Sequence, residues 1–168
     1  RPVYAIEGST TLVIGYGDIG SAFAQRMKRL GSTTIGIKRH PAEKPDELDE
    51  LYLTADLDRV LPRADVVALS LPETAETRHL INRERLAAMK SSAIILNVGR
   101  GSAIDTEALC YTLESGHLAG AGLDVTDPEP LPPDHRTQYP PRNASATTHR
   151  SYRHQSTTSA SLQTRRPA

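Results

Sequence analysis

An α/β fold built on a doubly wound parallel sheet is predicted by three features of this 168-residue sequence. Short apolar, β-branched runs alternate with helical stretches, at a spacing that suits right-handed βαβ crossovers. A Gly-x-Gly-x-x-Gly segment stands between the first such run and the first helical stretch. Residues 136–168 differ sharply from the rest: they carry six arginines, no acid, eleven Ser or Thr, and Leu162 as their one large aliphatic residue. So little apolar area does not offset the entropy of ordering a chain. The expected organisation is a folded domain over 1–135 and a disordered basic tail over 136–168.

The first strand is predicted over 11–14 (TLVI), ending at Gly15. A helix follows over 21–30, closed by Gly31 as a C′ residue. Residues 33–37 read as a second strand, and the acidic, Pro-containing stretch 42–50 reads as a surface connection. A short helix near 55–62 precedes 64–71, a run apolar enough for a strand buried on both faces. Asn82 is placed to cap a helix running to Met89, and 92–98 reads as another buried strand. Asp105 is placed to cap a helix whose inner face carries Ala108, Leu109 and Leu113 and which ends at Gly116. The small-residue run 120–125 is the last predicted strand.

Composition excludes several function classes. No apolar run approaches the ~20 residues of a spanning helix, so no membrane anchor is expected. One cysteine, Cys110, forms no internal disulfide and builds no cysteine-rich zinc site. No metal-ligand constellation stands out, and a reducing, cytoplasmic setting is expected. Cys110 reads as a small buried residue of its helix, and His117 as a helix-end histidine. The start, RPVYAIEGS, has neither a signal pattern nor an initiator Met and reads as that of a fragment or trimmed chain. Residues 1–135 hold fourteen basic and twenty acidic side chains, which the tail balances to a formal net charge of zero. Six arginines with just Tyr139 and Tyr152 among them give little support to nucleic-acid binding.

The glycine segment carries the first chemistry. Gly15 allows a tight turn, Gly17 a close backbone approach to a pyrophosphate, and Gly20 close packing of helix on strand. The free N–H groups and positive end of the helix that follows then form an anion site, with Asp18, Ile19 and Gly20 counted among the cofactor-binding residues. This makes 1–135 a dinucleotide-binding, Rossmann-like domain. An NAD site of this kind places an acid near the end of the second strand to hold the ribose 2′-OH. Here that position offers Lys38 and Arg39, which donate to a 2′-phosphate and accept nothing from a hydroxyl. NAD or NADP is the expected cofactor, with NADP favoured.

Three further segments lie at predicted carboxyl ends of strands, where open α/β sheets bind ligands. They are 71–77 (LPETAET), 97–101 (NVGRG) and 124–131 (DVTDPEPL). Together with GYGDIG they resemble the cofactor-binding domain of the D-isomer-specific 2-hydroxyacid dehydrogenases. That family includes glyoxylate/hydroxypyruvate reductases and D-3-phosphoglycerate dehydrogenases. The resemblance runs from about Gly8 to His135.

The resemblance implies hydride transfer between a nicotinamide cofactor and a 2-keto or 2-hydroxy acid. It places the substrate-binding arginine at Arg100, whose planar guanidinium suits a carboxylate and an adjacent keto oxygen. The family's acid, five residues past the Asp of the DV strand, falls on Glu129. Its partner is a histidine, which the acid orients and keeps charged as a proton donor. Such help is worth about 10²–10⁴ in rate. Asp124 would meet the nicotinamide end of the cofactor. Leu71, Pro72, Thr77, Val98 and Gly99 would line its site, with Thr74 beside them.

Within the resemblance the family histidine follows a Pro at the end of an apolar strand. The corresponding segment here is 143–149 (NASATTH), so His149 is the candidate, ahead of His135 and His154. Thr148 stands where Pro is expected, and the residues after it have no helical apolar stripe. A reading-frame change near 136 would account for the abrupt shift, as would a genuinely divergent tail. The family's substrate domain lies mostly before the cofactor domain, and this chain begins a few residues before the first strand. A homodimer through the cofactor domain is also implied. The competing expectation is a catalytically inactive NAD(P)-binding module or redox-sensing interaction protein.

Overall fold

The computed structural model describes residues 5–129 and the strand 145–148. Seven parallel strands form one sheet in the order β3-β2-β1-β4-β5-β6-β7. They are β1 (Thr10–Ile14), β2 (Thr33–Lys38), β3 (Glu50–Leu53), β4 (Val66–Leu69), β5 (Ile94–Asn97), β6 (Gly120–Leu123) and β7 (Ser145–Thr148). The helices are α1 (Asp18–Arg29), α2 (Leu57–Val60), α3 (Arg83–Ala88) and α4 (Thr106–Glu114). From β1 the chain winds outward through β2 to β3, then returns to the other side of β1 at β4 and continues to β7. The winding direction therefore reverses between β1 and β4, opening a crevice at their carboxyl ends.

The two faces of the sheet are covered unequally. Leu12 and Ile14 of β1 join a core with Leu57, Leu61, Leu86 and Leu109 from the α2, α3 and α4 side. Val13 points the other way, into a smaller cluster with Tyr16, Ala24 and Leu48 beneath α1. Val66, Ile94 and Leu96 share Val13's side of the sheet by register and are half-buried. Burial on both faces is found at β1 and β2 under α1, for which it was not expected. Over β4 and β5, where it was expected, it is met only in part among the described residues.

Both predicted side-chain caps are made. Asn82 accepts from the Arg85 N–H at 3.0 Å, and Asp105 accepts from the Ala108 N–H at 3.0 Å. Each satisfies one of the orphan N–H groups of a helix start. Cys110 is buried within α4. At the end of α4, His117 Nε2 lies 3.0 Å from the Met89 carbonyl oxygen and ties that end to the end of α3.

Four elements differ from expectation. α1 begins at Asp18, so the glycine segment supplies its first turn. The stretch near 55–62 is one α-helical turn between two 3₁₀ turns, the second carrying Pro62, whose missing N–H breaks a continuous helix. Glu50–Leu53, which begins at the end of the expected connection and precedes the expected helix near 55–62, is the edge strand β3, paired with β2 from Ile35↔Glu50 to Lys38↔Leu53. Its polar content is that of an edge: Arg63 pairs with Glu50, and the Arg59 guanidinium lies 4.8 Å from the Tyr52 ring centroid. Finally, Ser145–Thr148 extends the sheet beyond the expected boundary at 135, pairing with β6 from Gly120↔Ser145 to Leu123↔Thr148. Ladder hydrogen bonds to β6 supply what an apolar pattern does not, so hydrophobicity alone missed it. The remainder of the expected tail lies outside the described residues.

Candidate active site

The three glycines of the first loop have three different surroundings. Gly15 has φ of +93°, and a Cβ there would stand 2.7 Å from the Ser70 carbonyl oxygen. Both facts require glycine. A Cβ on Gly20 would meet the Gly15 carbonyl oxygen at 2.3 Å, so α1 lies directly against the loop. Gly17 has open space on its Cβ side. It is the N-cap of α1 and makes no side-chain cap, which leaves first-turn N–H groups of α1 for an incoming anion. Asp18 and Ile19 sit exposed at this helix start.

Ser70, which the sequence reading passed over, fastens this loop. Its Oγ donates to the Gly15 carbonyl at 2.7 Å, and its N–H donates to the Ile14 carbonyl at 3.0 Å. A serine directly after a buried strand, beside the crevice, is the signal that could have found it. Tyr16 is buried under α1, and its hydroxyl donates to Glu47 at 2.5 Å. Burial, then the Glu47 carboxylate, push the Tyr16 hydroxyl far above its ordinary range. The same hydrogen bond holds the Glu47 carboxyl below its own.

A cavity of about 450 Å³ opens beside the glycine loop, at the reversal between β1 and β4. Gly15, Gly17, Lys38, Arg39, Leu71 and Thr77 are among the residues lining it, and Pro72 and Thr74 line it too. Each of these was expected in a cofactor site except Thr74, which was expected beside one. The 72–77 turn is held from within: the Thr74 N–H donates to Thr77 Oγ1 at 2.9 Å, and Thr77 Oγ1 donates to the Pro72 carbonyl at 2.8 Å. Tyr16, His40, Thr54, Ser70 and Glu76 add to the polar lining and were not singled out from sequence.

The second group of expected residues lies on the loops after β5 and β6. Asn97, buried at the end of β5, braces the first of these loops. Its Nδ2 donates to the Arg100 carbonyl at 2.9 Å, and its Oδ1 accepts the Gly99 N–H at 3.1 Å. Gly99 and Gly101 let this loop touch both its neighbours. A Cβ on Gly99 would lie 2.6 Å from the Leu71 nitrogen, and one on Gly101 would lie 2.0 Å from the Thr126 carbonyl carbon. Arg100 stands between them with its side chain exposed, and Nη1 donates to the Gly99 carbonyl at 2.8 Å.

Val98 is exposed beside Arg100, and the Asp124 N–H donates to the Asn97 carbonyl at 2.9 Å. Arg78 reaches Asp127 at 3.4 Å, and Thr106 Oγ1 donates to the Asp127 carbonyl at 2.8 Å, which anchors the loop that leads to Glu129. Glu129 is exposed. His149, like His135 and His154, lies outside the described residues. Loops after β4, β5 and β6 thus meet through two glycines, and the expected cofactor and substrate residues share the carboxyl-end rim of the sheet. Among the described residues there is no cluster of three or more His, Cys, Asp or Glu side chains able to hold a metal. Nor is any described helix long and apolar enough to cross a membrane.

Comparison with known proteins gives a consistent picture. The family model described as D-isomer specific 2-hydroxyacid dehydrogenase, NAD binding domain, matches residues 1–151. Glyoxylate reductase of Thermofilum pendens is 42% identical over 133 residues, covering 77% of this chain and 38% of that protein. Formate dehydrogenase 2, mitochondrial, of Oryza sativa is 40% identical over 144 residues, covering 84% of this chain and 38% of that protein. The chain therefore spans about two-fifths of the length of these relatives. Among solved structures, a D-isomer specific 2-hydroxyacid dehydrogenase from Xanthobacter autotrophicus Py2 in complex with NADPH and MES matches with a TM-score of 0.77 and 36% identity, over 88% of this chain and 46% of that one. The NAD complexed form of the Lactobacillus delbrueckii enzyme of the same description matches with a TM-score of 0.73 and 34% identity, over 86% of this chain and 48% of that one.

Proposed function

Because the chain belongs to the D-isomer-specific 2-hydroxyacid dehydrogenase family as its NAD-binding domain, we propose that it forms the cofactor half of an oxidoreductase acting on a D-2-hydroxy or 2-keto acid. The observation that carries this reading is the cavity at the β1–β4 reversal, with the open side of Gly17 and the uncapped start of α1 at its edge. These features fit a nicotinamide dinucleotide. Gly15, Gly17, Asp18, Ile19 and Gly20 would receive the pyrophosphate by backbone N–H groups and close approach. Leu71, Pro72, Thr77, Val98, Gly99 and Asp124 would follow the cofactor along the rim. The bound cofactor supplies the hydride chemistry.

The chain's own residues bind, orient and hold protons. Arg100, aimed by the Asn97 brace, would grip the substrate carboxylate and polarise the neighbouring carbonyl. Glu129 would orient His149 and favour its charged form, keeping a proton ready for the substrate oxygen. Glyoxylate and hydroxypyruvate suit this arrangement, since each sets a carboxylate beside a carbonyl. The proposed setting is the cytoplasm, which the lone cysteine suits, and the proposed assembly a homodimer. A second reading, an inactive nucleotide-binding module, draws on Thr148 standing where the family places Pro before the histidine.

NADP is the cofactor we favour, since Lys38 and Arg39 both line the cavity and no acid closes β2. Titration calorimetry with NADPH and NADH tests this. We expect NADPH to bind more tightly, and K38Q/R39Q to cost it about ten-fold or more, as loss of charge-assisted contacts implies. Equal affinities in the wild-type chain would overturn the NADP preference, and no binding of either would overturn the cofactor site. Turnover of glyoxylate separates the enzyme from the inactive module.

A further inference from the structure

We propose that Glu76 is a cofactor-selectivity residue, whose carboxylate engages Arg39 across the mouth of the cavity and weakens binding of a 2′-phosphorylated dinucleotide. This rests on the reading that Lys38 and Arg39 receive the 2′-phosphate. Arg39 follows β2 directly, while Glu76 sits in the turn after β4, so the two approach from opposite sides of β1. Arg39 Nη2 donates to Glu76 Oε1 at 3.1 Å and lies 3.1 Å from Oε2. Both side chains line the cavity. Glu76 is held there by its backbone, because the Arg78 N–H donates to the Thr74 carbonyl at 3.1 Å and Thr74 and Thr77 bond each other around it.

Two effects of this pair oppose each other, and their sizes decide the sign. Holding Arg39 over the cavity would favour a phosphate by preorganisation. Both side chains are more than 60% exposed, however, and exposed pairs of this kind are weak, so little orientation is gained. A phosphate taken up by Arg39 must share that guanidinium with the Glu76 carboxylate, which puts a near-dianion beside a neighbouring negative charge. At near-physiological salt that repulsion amounts to a roughly three- to ten-fold loss of affinity. A dinucleotide without the 2′-phosphate escapes it.

The test is the affinity of NADPH and of NADH for the full chain, E76Q, R39Q and E76Q/R39Q, by titration calorimetry at matched salt. Melting curves check that each variant folds. We expect E76Q to tighten NADPH roughly three- to ten-fold and NADH less than about two-fold, with the gain falling away at high salt. In the R39Q background the gain from E76Q should shrink below about two-fold, because the effect runs through Arg39. The selectivity role is overturned if E76Q leaves NADPH unchanged, weakens it, or tightens both dinucleotides alike. If R39Q leaves the NADPH-to-NADH ratio as it was, the assignment of Arg39 to the phosphate fails and takes the Glu76 role with it. If R39Q lowers that ratio and E76Q does not raise it, the Glu76 role alone fails.

Discussion

Asn97 fixes the backbone on which Arg100 stands: one side-chain amide donates to the Arg100 carbonyl at 2.9 Å and accepts the Gly99 N–H at 3.1 Å. The amide is buried at 1% exposure, so water does not replace it. Asn97→Ala leaves the buried Gly99 N–H without its partner, while the Arg100 carbonyl keeps the Ala103 N–H at 3.1 Å, at a cost of about 1–3 kcal/mol. For a domain of this size the expected fall in Tm is about 2–12 °C. Thermal melts measure it directly, and an unshifted Tm would show that the brace contributes nothing.

Gly17 and Gly101 should respond to alanine in opposite ways. At Gly17, φ is −105° and no heavy atom lies within 4 Å of a new Cβ, so G17A should fold with a nearly unchanged Tm. Its methyl would occupy the space a dinucleotide phosphate needs, and affinity for NADH should drop about ten-fold or more. At Gly101 the new Cβ would collide with Thr126 backbone at 2.0 Å. G101A should therefore lose about 2 kcal/mol or more, or fail to fold. Wild-type dinucleotide affinity in G17A would remove Gly17 from the site.

Ser70 ties β4 to the glycine loop through its 2.7 Å bond to the Gly15 carbonyl. Ser70→Ala removes a bond worth about 0.5–1.5 kcal/mol. Because the loop it releases lines the cavity, dinucleotide affinity should weaken by about two- to five-fold. Calorimetric titration beside a urea melt separates the two effects. A stability loss without an affinity loss would confine Ser70 to a structural role.

Asp65 predicts an acid-sensitive domain. Burial opposes its ionisation, but Lys90 Nζ at 2.8 Å and the Thr10 N–H at 2.9 Å hold its carboxyl below the usual range. Its folded pKa is thus lower than its unfolded one. The stability it contributes is present above the unfolded value of about 3.9 and is lost as pH falls through the folded value. Asp65→Asn should cost about 1 kcal/mol near pH 7. The gap between variant and wild type should close as pH drops below about 4. Urea melts across pH 2.5–7 (about six points) measure it, and a gap that stays constant with pH would rule out the ionic contribution.

The sequence by itself determined the strands β1, β2, β4, β5 and β6 and their parallel arrangement, the caps at Asn82 and Asp105, and the glycine loop. These rest on local chemistry: β-branched runs such as TLVI, side chains that bond their own helix starts, and backbone turns that only glycine makes. It also placed Arg100, Glu129 and Asp124 on the loops after β5 and β6, through the resemblance to a family rather than through any local rule.

Tertiary structure alone decided β3 and β7, because both gain their hydrogen bonds from a neighbouring strand and carry little apolar pattern of their own. It alone showed that Gly99 and Gly101 are glycines because Leu71 and Thr126 press against them. It likewise brought Ser70 onto Gly15 across 55 residues and Glu76 onto Arg39 across 37. A contact between residues so far apart leaves no periodic trace in the chain, since it depends on which strands lie side by side.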